Sequence, residues 1–220
     1  MSKAKTAAKL QYPVFEIVMN TDAVMRGELY PDSAPQTVGN FIALANSGFY
    51  DGLPIHRCIR SFLIQAGKPL TEELPYCIQG EFEFNRFKLN VLPHERGCLC
   101  MVRAGHYDSA NSQFFIVTTQ NEQELSCLNG AYAVFGRVLE GIKVADRISC
   151  VETDELDTPL NLPLIRRIRV KTFGLDYPFE KLPPPTSTVN LPHIKTRVKQ
   201  QPKGGSEIEP TAKTERGLTK

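Results

Sequence analysis

The chain has no tryptophan, and its four histidines, His56, His94, His106 and His193, stand apart without metal-ligand spacing. No metal is expected, and no glycine-rich loop is present to cradle a nucleotide phosphate, so no cofactor is expected either. Six cysteines (Cys58, Cys77, Cys98, Cys100, Cys127 and Cys150) form no CxxC pair. Cys98 and Cys100 lie two apart in an apolar run, which puts them on one strand face rather than at a zinc site, and reduced, mostly buried thiols are the expectation. No apolar run approaches the ~18 residues of a membrane span. The basic start MSKAKTAAKL leads into no apolar stretch of signal-peptide length, so a cytoplasmic protein is expected. Internal repeats are also absent.

What is present is enough for one core. The chain has 220 residues, 41% of them hydrophobic, which suits a single domain with tails and an expected monomer. A net charge of +2 hides an uneven division. Lys3, Lys5 and Lys9 make the first ten residues basic, and residues 181–220 carry eight Lys or Arg against three Glu. The remaining 15 basic and 21 acidic groups leave residues 11–180 acidic, which is not the footprint of a nucleic-acid-binding domain. Only the basic tail, including Lys195 to Lys203, offers a surface for RNA or an acidic partner, and a solvated tail is the simpler reading.

Two β-prone runs, residues 14–19 and 24–29, flank a turn at residues 20–23 and predict a hairpin. Pro35 opens a helix for which Asp32 or Ser33 is the expected cap. Val38, Phe41, Ile42 and Ala45 form its apolar stripe, and Ser47-Gly48 ends it. Short β-prone pieces follow at 58–64, 97–102, 114–118 and 133–138, separated by loops rich in Gly, Asn and Asp, a spacing that suits a barrel or sandwich. Val144, Ala145 and Ile148 mark a second helix. A last strand over 165–173 alternates Ile168, Val170 and Thr172 with Arg167, Arg169 and Lys171. Six of the sixteen prolines fall in the last forty residues, among charged and small polar side chains that cannot build a core.

Four blocks carry more specific information. They are Glu28 to Phe41 with Ala34-Pro35-Gln36-Thr37-Val38, Phe49 to Gly67 with His56-Arg57, Gly97 to Val102 running on through a loop to Asn111-Ser112-Gln113-Phe114-Phe115-Ile116, and Leu128 to Val138. In order and spacing they resemble the cyclophilin family over about residues 13–174, and Glu95-Arg96-Gly97 looks like its bacterial branch. The resemblance implies a mainly β fold: a closed eight-stranded antiparallel barrel capped by two α-helices, with the substrate in a groove on its outer surface. It divides the chain into a basic extension (1–12), an isomerase domain (13–174) and a Pro-rich basic tail (175–220), expected to be disordered.

The implied activity is peptidyl-prolyl cis-trans isomerisation of X-Pro bonds in peptides and in unfolded or nascent proteins, without cofactor. Arg57 stands where the family has its catalytic arginine. Phe62, Leu63, Phe115 and Leu128 would build the proline pocket, and Gln65 and Gln113 match polar groove residues that hold the substrate backbone. Arg103 and Tyr132 would complete the substrate-binding set, with the Tyr132 hydroxyl free to donate to a carbonyl. Strand alternation requires that one of Phe114 and Phe115 face the core, and the resemblance assigns Phe115 to the pocket. His56 is expected to be a structural histidine with satisfied hydrogen bonds. Several positions depart from the family pattern: Ile55 before His-Arg, Arg60-Ser61 for Pro-Gly, Leu63 for Met, Val102-Arg103 for Ala-Asn, and Cys127 where an aromatic is common. They bear on rate and sequence preference. A noncatalytic module that binds Pro-containing segments is the rival reading.

Overall fold

Residues 14–29 fold as the hairpin their β-prone runs predict. Strands β1 (Val14–Met19) and β2 (Val24–Leu29) pair antiparallel, and the turn between them places Asp22 at φ +64°. In the computed structural model, which describes residues 11–186, these strands join six others in one antiparallel sheet. They are β3 (Ile55–Ile59), β4 (Leu63–Ala66), β5 (Cys98–Met101), β6 (Phe114–Val117), β7 (Val134–Glu140) and β8 (Ile165–Lys171), arranged in the order β3-β4-β6-β5-β7-β2-β1-β8. The expected strand over 58–64 is broken: Ser61 adopts φ +56°, the Phe62 N–H donates to the Ile59 carbonyl, and a tight turn there separates β3 from β4.

The sheet curls, but its two ends do not zip together. β3 and β8 meet at one isolated bridge, Pro54 to Leu164, supported by hydrogen bonds from Ile55 N–H to the Pro163 carbonyl (2.8 Å) and from Ile165 N–H to the Leu53 carbonyl (2.9 Å). Beyond that point the outer edge of β3 is taken by a loop, with the Cys58 N–H donating to the Asp157 carbonyl at 2.8 Å. The expected closed barrel is therefore a curled half-barrel, because the 151–164 loop occupies the edge that closure would need. The two expected α-helices accompany it, and among the described residues a third of only five residues lies between them in the chain: α1 (Pro35–Asn46), the short α2 (Glu122–Ser126) and α3 (Ile142–Ser149). The Asn121 side chain caps α2 by accepting from the Gln123 and Glu124 N–H groups.

Period-two alternation gives the sheet two buried faces over β4, β5 and β6. One face joins the main core, where α1 packs Phe41 against Tyr50, Phe114 and Phe135 with ring centroids 5.1–5.4 Å apart. The other carries a smaller apolar cluster of Phe62, Leu63, Cys98, Cys100, Phe115, Val117, Leu128 and Val134. The packed chain also continues past the boundary expected at residue 174: Tyr177 and Phe179 lie against the main core, and Leu182 bridges to Cys77. The proposed disorder of residues 187–220 and the basic stretch at Lys195 to Lys203 lie outside the described residues.

Helix α1 is capped from a distance. Its N-cap is Ala34, which has no capping side chain, and neither Asp32 nor Ser33 supplies one. Instead Glu81, fully buried, accepts the Gln36 N–H on Oε1 and the Thr37 N–H on Oε2, each at 2.8 Å. Burial pushes this carboxyl up, and the Thr37 and Gln36 N–H groups oppose the shift. Replacing one carboxylate oxygen with an amide NH2 sets donor against donor. Glu81→Gln should therefore lower unfolding free energy by about 1–3 kcal/mol in urea titrations, whereas Ser33→Ala should stay within about 0.5 kcal/mol; equal losses would return the cap to Ser33.

Candidate functional site

The site begins with a bulge. Ile55 opposes Ala66 and points into the main core; two residues later, Arg57 would follow it inward if the strand were regular. The register slips between them, so that Arg57 opposes Gln65 and faces out. From there one row of directly opposed residues crosses the sheet: Arg57 (β3), Gln65 (β4), Phe115 (β6), Cys100 (β5) and Val134 (β7). Leu63, on the same face as Gln65, and Val117, on the same face as Phe115, extend the apolar part. Phe62 from the β3–β4 turn and Leu128 after α2 complete it. The same alternation turns Ile64, Phe114 and Ile116 into the main core, on the opposite face of the sheet from Phe115.

Polar groups stand at the rim of this patch. The Gln65 Nε2 donates to Gln113 Oε1 at 3.1 Å, so the two amides lie side by side next to Phe115. Arg57, about 40% exposed, donates from Nε (3.3 Å) and Nη2 (3.0 Å) to one oxygen of Asp157. That contact uses two of the five guanidinium N–H groups and leaves three for another acceptor. Asp157 is absent from the sequence-based set. It lies 100 residues downstream on the loop that covers the β3 edge, at φ +65°, and no local pattern links it to Arg57.

The far end of the site is aromatic. Tyr132 packs edge-on against Phe115 at 5.3 Å, and its hydroxyl has no protein partner among the described residues. Arg103 stands at the same end. Its guanidinium lies 5.1–5.2 Å from the rings of Phe82, Tyr107 and Tyr132, and it donates to the Ala131 and Ala104 carbonyls. Cys127 sits partly buried at the edge of the cluster, its thiol donating to the Glu124 carbonyl at 2.8 Å. No group of three His, Cys, Asp or Glu residues gathers as a metal site among the described residues. No helix among them is long and apolar enough to cross a membrane.

The family model described as cyclophilin type peptidyl-prolyl cis-trans isomerase matches residues 14–170, from the first strand to the last. The chain belongs to the cyclophilin family. It is 45% identical over 125 residues to peptidyl-prolyl cis-trans isomerase B of Bacillus subtilis, covering 56% of this chain and 80% of that protein. A peptidyl-prolyl cis-trans isomerase of Arabidopsis thaliana is 36% identical over 145 residues, or 65% of this chain and 87% of the relative. Among solved structures, a cyclophilin type isomerase of Cryptosporidium parvum superposes with a TM-score of 0.62 at 26% identity, covering 73% of this chain and 98% of its own. The same protein in the presence of the dipeptide Ala-Pro gives 0.60 at 27%, over 72% and 98%.

In this cyclophilin His56, beside the catalytic candidate, differs from expectation: its Nδ1 is buried with no hydrogen-bond partner among the described residues. Burial, together with the positive charges of Lys68 and Arg57, pushes its pKa down to about 4. An unfolded chain takes a proton on this ring near pH 6.5, while the native ring refuses it until about pH 4. Stability from this group is therefore full above pH 6.5 and falls as pH drops towards 4. Solvent reaches part of the ring, so the loss is on the order of 2 kcal/mol. Urea midpoints of the parent and His56→Gln at pH 7 and pH 4.5 should show the parent losing more on acidification; identical losses would remove His56 from the acid sensitivity.

Proposed function

We propose that this cyclophilin isomerises X-Pro bonds by donating a hydrogen bond from Arg57 to the prolyl nitrogen of the twisted amide. Rotation about C–N faces a barrier of ~18–20 kcal/mol because resonance gives the bond partial double-bond character. As the amide twists, the nitrogen pyramidalises and regains a lone pair, which the planar ground state does not offer. A fixed cationic donor aimed at that nitrogen binds the transition state more tightly than either planar isomer. The observation that carries this reading is the row itself: Arg57, its guanidinium anchored by Asp157, faces outward two strands from Phe115 on the same side of the sheet.

The remaining residues supply binding and exclusion of water. Phe62, Leu63, Phe115 and Leu128 are already buried against one another, so a proline ring set on Phe115 would add to an existing apolar cluster and strengthen the nearby hydrogen bond by removing water. Gln65 and Gln113 would hold the peptide backbone beside the ring. Tyr132 and Arg103 would bound the far end, with Arg103 acting through its grip on Tyr132 rather than by reaching the peptide. Leu63 for Met keeps the volume of the patch, and Cys127 narrows the apolar rim. We take the substrates to be Pro-containing peptides and unfolded or nascent chains bound by a monomer. Six free thiols suit a reducing cytoplasm.

No step in this mechanism needs a base, nucleophile or metal, and His56 stays neutral through the working range. In a protease-coupled assay on an X-Pro-Phe peptide, Arg57→Ala should lower kcat/KM by about 10²–10³-fold, the scale of one lost transition-state donor. The parent rate should be flat between pH 6 and 8.5. An active Arg57→Ala protein, or a bell-shaped profile centred near pH 6.5, would overturn the assignment. A folded parent that binds the peptide without accelerating exchange would instead support the binding-module reading.

A further inference from the structure

The family match ends at residue 170, yet the chain stays on the domain through Leu182. Tyr177 and Phe179 pack on the main core, and the Glu180 N–H donates to Gln36 Oε1 at 2.6 Å. Leu182 exchanges two backbone hydrogen bonds with Cys77, each 2.8 Å. Helix α1 makes room for this segment with a glycine: a Cβ on Gly39 would stand 2.6 Å from the Tyr177 carbonyl oxygen. Beneath the segment lies Tyr76, with the Phe179 ring 6.1 Å away and the Lys181 ammonium 4.5 Å over its face.

Tyr76 leads inward to the site. Its hydroxyl donates to Asn40 Oδ1 at 2.9 Å, and Asn40, fully buried on α1, donates from Nδ2 to the Asn111 carbonyl. The Asn111 carbonyl can only accept, so it fixes which end of the Asn40 amide faces it, and the Tyr76 hydroxyl satisfies the other end; without that hydroxyl the buried Asn40 Oδ1 loses its donor and the amide its second anchor. Asn111 in turn accepts the Ser112 N–H on Oδ1 at 2.6 Å, and the next residue is Gln113, whose carbonyl accepts from the Val102 N–H at 2.9 Å. A continuous run of contacts thus connects residues 177–182 with the amide that stands beside Phe115.

We propose that residues 177–182 are a strap that positions Gln113 for substrate binding, with Tyr76 and Asn40 as the positioning residues that transmit it. This rests on the reading of Gln113 as a holder of the substrate backbone. Two changes in the full chain test it. Tyr76→Phe removes only the hydroxyl; Gly39→Ala improves the intrinsic helix propensity of α1 while displacing the strap. Steady-state kinetics on an X-Pro peptide would be measured for each, alone and combined with Gln113→Ala. Each single change should raise KM about three- to tenfold, the scale of one hydrogen bond, with kcat within about twofold, and should add nothing in the Gln113→Ala background. A full additional KM increase in that background, or parent KM values in both strap variants, would overturn the strap. A parent KM in Gln113→Ala alone would remove the reading of Gln113 instead.

Discussion

The site depends on a sheet that is buried on both faces. Over β4, β5 and β6 every residue but Gln65 is apolar, and the Gln65 amide is taken by Gln113 just ahead of β6, so parity decides placement: Ile64, Phe114 and Ile116 belong to the main core, while Leu63, Phe115 and Val117 belong to the outer patch. A charged side chain cannot join that pattern on a regular strand without displacing a core residue. The bulge at His56 resolves the conflict, allowing Ile55 and Cys58 to face in while Arg57 faces out beside Gln65. The position of the cation relative to the apolar patch is therefore set by backbone register, before any side chain chooses a rotamer.

The loop segments then hold what the register has placed. Residues 151–164 lie along the β3 edge, and Asp157 joins that edge twice, through its carbonyl to the Cys58 N–H and through its carboxylate to Arg57. The same loop that keeps the sheet from closing thus provides the anchor for the guanidinium. On the other side, Glu81 ties a long loop to the start of α1, and Arg103 ties the loop before β6 to Tyr132. Each of these contacts joins residues far apart in the chain.

That distance explains what the sequence made legible. Val38, Phe41, Ile42 and Ala45 could be read as a buried helical stripe because periodicity is local, and the hairpin over 14–29 for the same reason. The pairing of Phe114 inward and Phe115 outward needed the family resemblance, since alternation alone says only that they differ. Closure of the sheet was beyond local reading: nothing in residues 151–164 announces that they will cover β3. Glu81 as the cap of α1 and Asp157 as the partner of Arg57 lie 44 and 100 residues from what they bind, and nearby Asp32 and Ser33 offered a plausible local cap that tertiary structure did not use. Arg103 read as a groove residue through its place in the family pattern, which does not announce the three rings and two carbonyls that surround it.

On the proposed mechanism Arg57 acts on the twisted amide and contributes little to holding the planar peptide. Exchange NMR of an X-Pro peptide under saturating enzyme separates the two, because it reads the cis-trans rate on the protein and the dissociation constant in one titration. For Arg57→Ala the account predicts on-enzyme exchange slowed by about 10²-fold or more with Kd changed by no more than about twofold. An exchange rate preserved on the enzyme, with Kd raised in proportion to the lost kcat/KM, would make Arg57 a binding residue and contradict the account.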